Sequence, residues 1–111
     1  MSTPAQTPSV TPILSTYAGD PDMADLIQLF VEEIPDRVRS LQQFLEGGQL
    51  DELRRIAHQL KGASGGYGFA TVGAAAGVLE HELTAKPSPD LTSITRQVQE
   101  IVDLCARVRA S

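Results

Sequence analysis

Residues Leu53 to Phe69 read LRRIAHQLKGASGGYGF, an apolar helical repeat that runs into glycines with a histidine in its middle. At about 100° per residue, Leu50, Leu53, Ile56, Ala57, Leu60, Ser64 and Tyr67 fall on one face. His58 projects away from that face and is expected to meet solvent. Arg54, Lys61, Gly62 and Gly65 share its outer surface, at the spacings where helical residues are neighbours above and below one another. A glycine inside a helix costs roughly 1 kcal/mol relative to alanine, so Gly62 and Gly65 together sacrifice on the order of 2 kcal/mol where alanine would fit. The space they leave is the kind used for close approach by another backbone or a ligand. An open, unprotonated ring nitrogen beside a cation that can hold a phosphoryl group is what a nucleophilic histidine requires, and Lys61 is the candidate phosphate partner.

Outward from this stretch the chain reads as helices. Residues 1–12 space Pro4, Pro8 and Pro12 among Ser, Thr and Gln and are expected to form a flexible tail. Residues 13–111 are expected to form one domain, with Ile13, Leu14 and Tyr17 docking on it. Asp20-Pro21 reads as an N-cap followed by proline at the first helical position. Met23, Leu26, Ile27, Phe30 and Ile34 then give an apolar stripe. Pro35 should kink or break this helix near Ile34, with a second piece over about 35–46 whose face is Val38, Leu41, Phe44 and Leu45. Gly47-Gly48 reads as a stop and turn, and Asp51 and Glu52 suit the first turn of the next helix.

That helix, which carries His58, should end between Ser64 and Gly68. Phe69, Val72, Ala76, Leu79 and Leu83 mark a further helix from Phe69 or Thr71 to Ala85, in which Gly73 and Gly77 permit a close helix approach. Ser88-Pro89 reads as the cap of a last helix, where Leu91, Ile94, Val98, Ile101, Cys105 and Val108 repeat at three and four to the C-terminus. Cys105 falls on that repeat and reads as core. The expected fold is all-α: an antiparallel four-helix bundle with either an additional N-terminal helical segment or a kinked first helix.

The chain of 111 residues suits one domain. Its net charge of −5 argues against a nucleic-acid binder, and its basic residues Arg54, Arg55 and Lys61 gather on the His58 helix instead. No apolar run has the length of a membrane span, and MSTPAQTPSVTP lacks the basic-then-apolar order of a secretory signal, so a cytoplasmic location is expected. A single cysteine allows no internal disulfide. His58, His81 and Cys105 make no recognised metal-ligand pattern, so no bound metal is expected.

His58-Gln59-Leu60-Lys61-Gly62-Ala63-Ser64, followed by Tyr67-Gly68-Phe69, resembles the H-x-L-K-G-[SA]-[SA] signature of histidine-containing phosphotransfer (HPt) domains of multistep phosphorelays. The resemblance implies a histidine phosphocarrier, without kinase activity or a cofactor of its own, passing a phosphoryl group between the aspartates of receiver domains. On that footing His58 is the phosphoacceptor, Lys61 steadies the phosphoryl group, and Gly62 and Gly65 leave access. Arg54, Arg55 and Gln59 are candidate docking residues. In such domains the position 22 residues after the phosphoacceptor often supplies a Gln or Glu that hydrogen-bonds the imidazole, and here it is Glu80. The implied partners are response-regulator receiver domains and a hybrid histidine kinase, with Mg²⁺ on the receiver and this chain a monomer.

Three other readings carry weight. A helical adaptor that binds a receiver without carrying phosphate would not need the His58/Lys61 pair. A phosphoacceptor module of a larger chemotaxis-type kinase would share the site, although the initial Met and the tail on one side favour a free-standing protein. Finally, Glu80-His81-Glu82-Leu83-Thr84 is like the H-E-L-x-T phosphoacceptor box of sensor kinases, but Glu80 and Glu82 flank His81 and no cation follows at three or four residues.

Overall fold

The computed structural model describes residues 11–85 and 90–111. Four helices follow in order: α1, Ala24–Glu46; α2, Leu50–Gly66; α3, Ala70–Ala85; and α4, Leu91–Cys105. Each helix packs on its neighbours in sequence, and α4 returns to α1, so the four close a ring around one core. Short connections and this order make a four-helix bundle of alternating direction.

The faces that meet in the centre are those the periodicity marked, except that Leu26 of the expected α1 stripe is 45% exposed. Leu53, Ala57, Leu60 and Ser64 of α2 are buried, with Leu50, Ile56 and Tyr67 packed at the margin. α3 adds Val72, Ala76 and Leu79, preceded by the buried Phe69. On α4, Ile94, Val98, Ile101 and Cys105 are buried, while Leu91 at the helix start is 59% exposed and lies outside the core. Burial pushes the Cys105 thiol up to about 11, with Arg37 pulling weakly the other way, so this cysteine is a small core residue.

α1 is one helix and not two pieces, because it continues through Pro35. Proline in a helix interior costs about 3 kcal/mol, yet Ile27, Phe30 and Ile34 before it and Leu41 after it are all buried on the same bundle face, and Pro35 itself is exposed. Burial on both sides of the proline holds the helix together. Phe30 stacks on Phe69 at 5.4 Å and tilts against Tyr67 at 5.3 Å, which ties α1 to the end of α2.

Other boundaries depart from expectation. No helix precedes α1 among the described residues; residues 16–19 and 21–23 are turns. Asp20 accepts from the Asp22 N–H through its side chain, but the helix begins three residues later with Met23 as N-cap. The cap of α4 is Asp90, which accepts from Thr92 N–H, in place of Ser88. Ser88-Pro89, like the first ten residues of the tail expected over 1–12, lies outside the described residues. Val108 keeps the apolar repeat of α4 but follows its end, buried by a parallel bridge to Ile13.

The segment from Ile13 to Thr16 docks along the bundle as a strap. Ile13 N–H donates to the Arg107 carbonyl and its own carbonyl accepts from Arg109 N–H. Ser15 Oγ donates to the Tyr67 carbonyl, and Thr16 N–H to that of Gly68. Ile13 packs on the core, but Leu14 and Tyr17, expected to dock as well, are exposed. Gly68 has φ +86° and a β-carbon there would collide with Ser15, Thr16 and Tyr17. Only glycine satisfies both that backbone and the strap.

Candidate functional site

α2 and α3 form an antiparallel pair, since the contacts between them run 58 with 80, 61 with 77 and 65 with 73. What sets their separation is Gly73, whose absent β-carbon would sit 3.3 Å from the Lys61 carbonyl and 3.5 Å from Gly65 N. This is a close backbone approach of the kind that excludes a side chain. The outer edge of the pair carries His58, Lys61 and Glu80.

The His58 ring is 69% exposed, and its Nδ1 lies 2.7 Å from Glu80 Oε2. Lys61 Nζ reaches the other carboxylate oxygen, Oε1, at 3.6 Å. One carboxylate thus holds two cation-forming groups with different grips. The Glu80 carboxyl is held below its usual range, first by the hydrogen bond to His58; burial, the next largest effect, opposes this, and the charges of His58 and Lys61 add smaller depressions. An ionised carboxylate can only accept, so Nδ1 carries the proton. In the neutral ring the lone pair is then on Nε2, the nitrogen that faces away from Glu80.

Gly62 and Gly65 extend this exposed surface toward the C-terminal end of α2. A β-carbon at either would meet nothing within 4 Å, and neither has a positive φ. Nothing within the fold therefore asks for glycine at these two positions, in contrast to Gly73 and Gly68. Gln59 is exposed beside His58. Arg55 is engaged by Glu52 at 2.9 Å, whereas Arg54, one turn before His58, is exposed and has no hydrogen-bond or ion-pair partner among the described residues. The two arginines, equivalent in the sequence, are separated by the structure.

His81 follows Glu80 on α3 and is also exposed, but its ring has no partner among the described residues, and the Glu80 carboxylate turns to His58 instead. Among the described residues no group of three His, Cys, Asp or Glu side chains could hold a metal ion, and no helix is long and apolar enough to cross a membrane. The relation that sequence reading missed is between Lys61 and Gly77. The lysine stem crosses α3 at that glycine, its Cδ 3.5 Å from where a β-carbon would stand. The available signal was that Gly77 precedes Glu80 by one helical turn.

The family model for the Hpt domain matches residues 25–111 of the chain. No curated protein and no solved structure matches it significantly.

Proposed function

This chain belongs to the Hpt domain family, whose members are phosphotransfer modules of phosphorelays and not kinase catalytic domains, and from that premise we propose that His58 is its phosphoacceptor. Nε2 of His58 attacks the phosphorus of a receiver's aspartyl phosphate. The N–P bond forms as the acyl P–O bond breaks, and its electron pair leaves with the receiver's aspartate carboxylate. The ring now carries positive charge, and Nδ1–H remains donated to Glu80. Reversal, with a second receiver's aspartate attacking phosphorus, returns the pair to Nε2. The chain itself supplies no ATP chemistry; the cation needed on the phosphate arrives with the receiver.

The observation that carries the reading is the 2.7 Å contact between Nδ1 and Glu80 Oε2 on a ring that is otherwise open. Glu80 selects the tautomer with a nucleophilic Nε2, Lys61 lies close enough to move onto the phosphoryl group, and Gly62 and Gly65 leave room for the receiver. Arg54, rather than the engaged Arg55, is the cation free to meet an acidic receiver rim, with Gln59 at the centre of the contact. The partners on this reading are response-regulator receivers and the receiver of a hybrid kinase, met transiently by a monomer in the cytoplasm.

The test is to mix the purified chain with phosphorylated receiver domains and Mg²⁺, and to follow acid-labile, base-stable phosphate. Label on the native chain that disappears in His58→Gln is the expected result. Receivers that bind both proteins equally and transfer to neither would make the chain an adaptor, and label retained in His58→Gln would move the site to His81.

A further inference from the structure

Lys61 is a flexible side chain, 55% exposed, whose ammonium is nevertheless found at Glu80. Four methylenes left to themselves would sample many rotamers, at a cost in entropy for any one of them. Its stem is guided by α3. Around the position a β-carbon would take at residue 77 lie Lys61 Cδ at 3.5 Å, Cε at 3.7 Å and Cγ at 3.9 Å, with no closer atom. Gly73 stands one turn before Gly77 and sets the backbone separation against the Lys61 carbonyl. Glu80 stands about one turn after and receives the ammonium. The three residues occupy one stripe of α3, and Lys61 lies along it from its carbonyl to Nζ.

We propose that Gly77 is a positioning residue for phosphotransfer: it is the groove in α3 through which the Lys61 stem passes, and its small size fixes where the ammonium stands relative to His58. The proposal rests on His58 being the phosphoacceptor and on Lys61 serving the phosphoryl group. It adds a size limit. The contacts at 77 are at ordinary van der Waals distance, so a methyl fits against the stem, whereas a branched or longer side chain occupies the stem's place and turns Lys61 out to solvent. Gly77 is only partly buried, so a larger side chain there has solvent beside it and the helix can tolerate it.

The experiment is a size series at position 77 read in two ways. First, in Gly77→Ala the new methyl should give nuclear Overhauser contacts to the Lys61 δ and ε protons. Their absence overturns the proposal, and this reading does not depend on any transfer activity. Second, Gly77→Leu should slow transfer from a phosphorylated receiver by the same factor as Lys61→Ala, about tenfold for loss of one charge-assisted contact, and Gly77→Ala should recover the native rate to within about twofold. Leucine at 77 in a Lys61→Ala background should add nothing further. A full additional loss in that double variant would mean that residue 77 acts on folding or docking and not through Lys61. If the native chain takes no phosphate from any receiver, the phosphocarrier reading fails, while the nuclear Overhauser contacts still decide whether Gly77 guides the lysine.

Discussion

Gly62 and Gly65 are where stability and activity should part. Both lie inside α2, both have ordinary helical φ, and a β-carbon at either meets nothing within 4 Å. The double substitution Gly62→Ala/Gly65→Ala therefore removes backbone freedom from the unfolded chain and adds no clash in the folded one. At about 1 kcal/mol per site, it should stabilise the domain by about 2 kcal/mol. For a chain of this size that raises Tm by roughly 8 °C and moves a urea midpoint up by about 1 M. The same two methyls stand on the surface of His58, where, on the proposed function, a receiver brings its aspartyl phosphate to Nε2. Two methyls forced into a close interface cost roughly 1–3 kcal/mol, so transfer at limiting receiver concentration should fall by about tenfold or more. Urea unfolding by circular dichroism and single-turnover transfer from a phosphorylated receiver measure the two effects on one sample. A variant that gains the stability and transfers at the native rate would refute the access role of these glycines. A variant that gains none would show that the open space is filled by something in the folded chain.

Glu80→Ala removes the acceptor of the Nδ1 proton; the charge-assisted bond, discounted for an exposed ring, is worth about 1 kcal/mol, so transfer should slow about fivefold and nitrogen NMR should show the His58 tautomers mixing, an unchanged tautomer ratio being the contrary result. Because the Glu80 carboxyl is depressed in the folded state from an ordinary 4.5, its contribution to stability is complete above that value and is lost as pH falls through the lower folded value. The stability gap between the native chain and Glu80→Gln should therefore close as pH falls below the ordinary carboxylate value, as urea melts across the acid range would record. Gly73→Ala places a methyl 3.3 Å from the Lys61 carbonyl, and the backbone must move; despite better helix propensity it should destabilise by about 1–3 kcal/mol, whereas an unchanged urea midpoint would mean that α2 and α3 can part freely. Arg54→Ala should weaken receiver binding and reduce its salt dependence, and Arg55→Ala should do so less because Glu52 already engages it; equal losses in titration calorimetry at two ionic strengths would contradict that assignment.

Where a residue's role depends on its own helix, it was legible in the sequence. The buried face of α2 and the outward aspect of His58 follow from spacing alone, because burial in a bundle is a property of one helical face. Pro35 does not break α1, because its penalty is local while the burial of Phe30, Ile34 and Leu41 that overrides it is tertiary. The α4 cap shifted from Ser88 to Asp90 in a stretch where several residues have capping side chains, and only the hydrogen bond to Thr92 distinguishes among them. Glu80 could be placed against His58 through the offset seen in a known family, but no periodicity says which residue of another helix will face it. The Lys61 stem over Gly77, the strap on Gly68 and the separate fates of Arg54 and Arg55 belong to that second kind: each is a contact between or beside elements, fixed only when the helices have packed.

The unequal grip of Glu80 bears on how one site can both accept and release phosphate. Its bond to His58 is short, at 2.7 Å, and its contact with Lys61 is long, at 3.6 Å, with the lysine half exposed. An exposed ion pair of that length contributes little, so Lys61 can leave Glu80 for an arriving phosphoryl group at small cost. The His58 bond has the opposite tendency. Transfer to Nε2 leaves Nδ1–H in place and puts positive charge on the ring, which strengthens its hydrogen bond to a carboxylate. On the proposed function, Glu80 thus stays with the imidazole through the reaction while Lys61 alternates between carboxylate and phosphate. If His58 is the phosphoacceptor, the carboxylate therefore favours the phosphorylated ring through its strengthened bond to Nδ1–H, while the pair with Lys61 that must be broken takes little of that gain away.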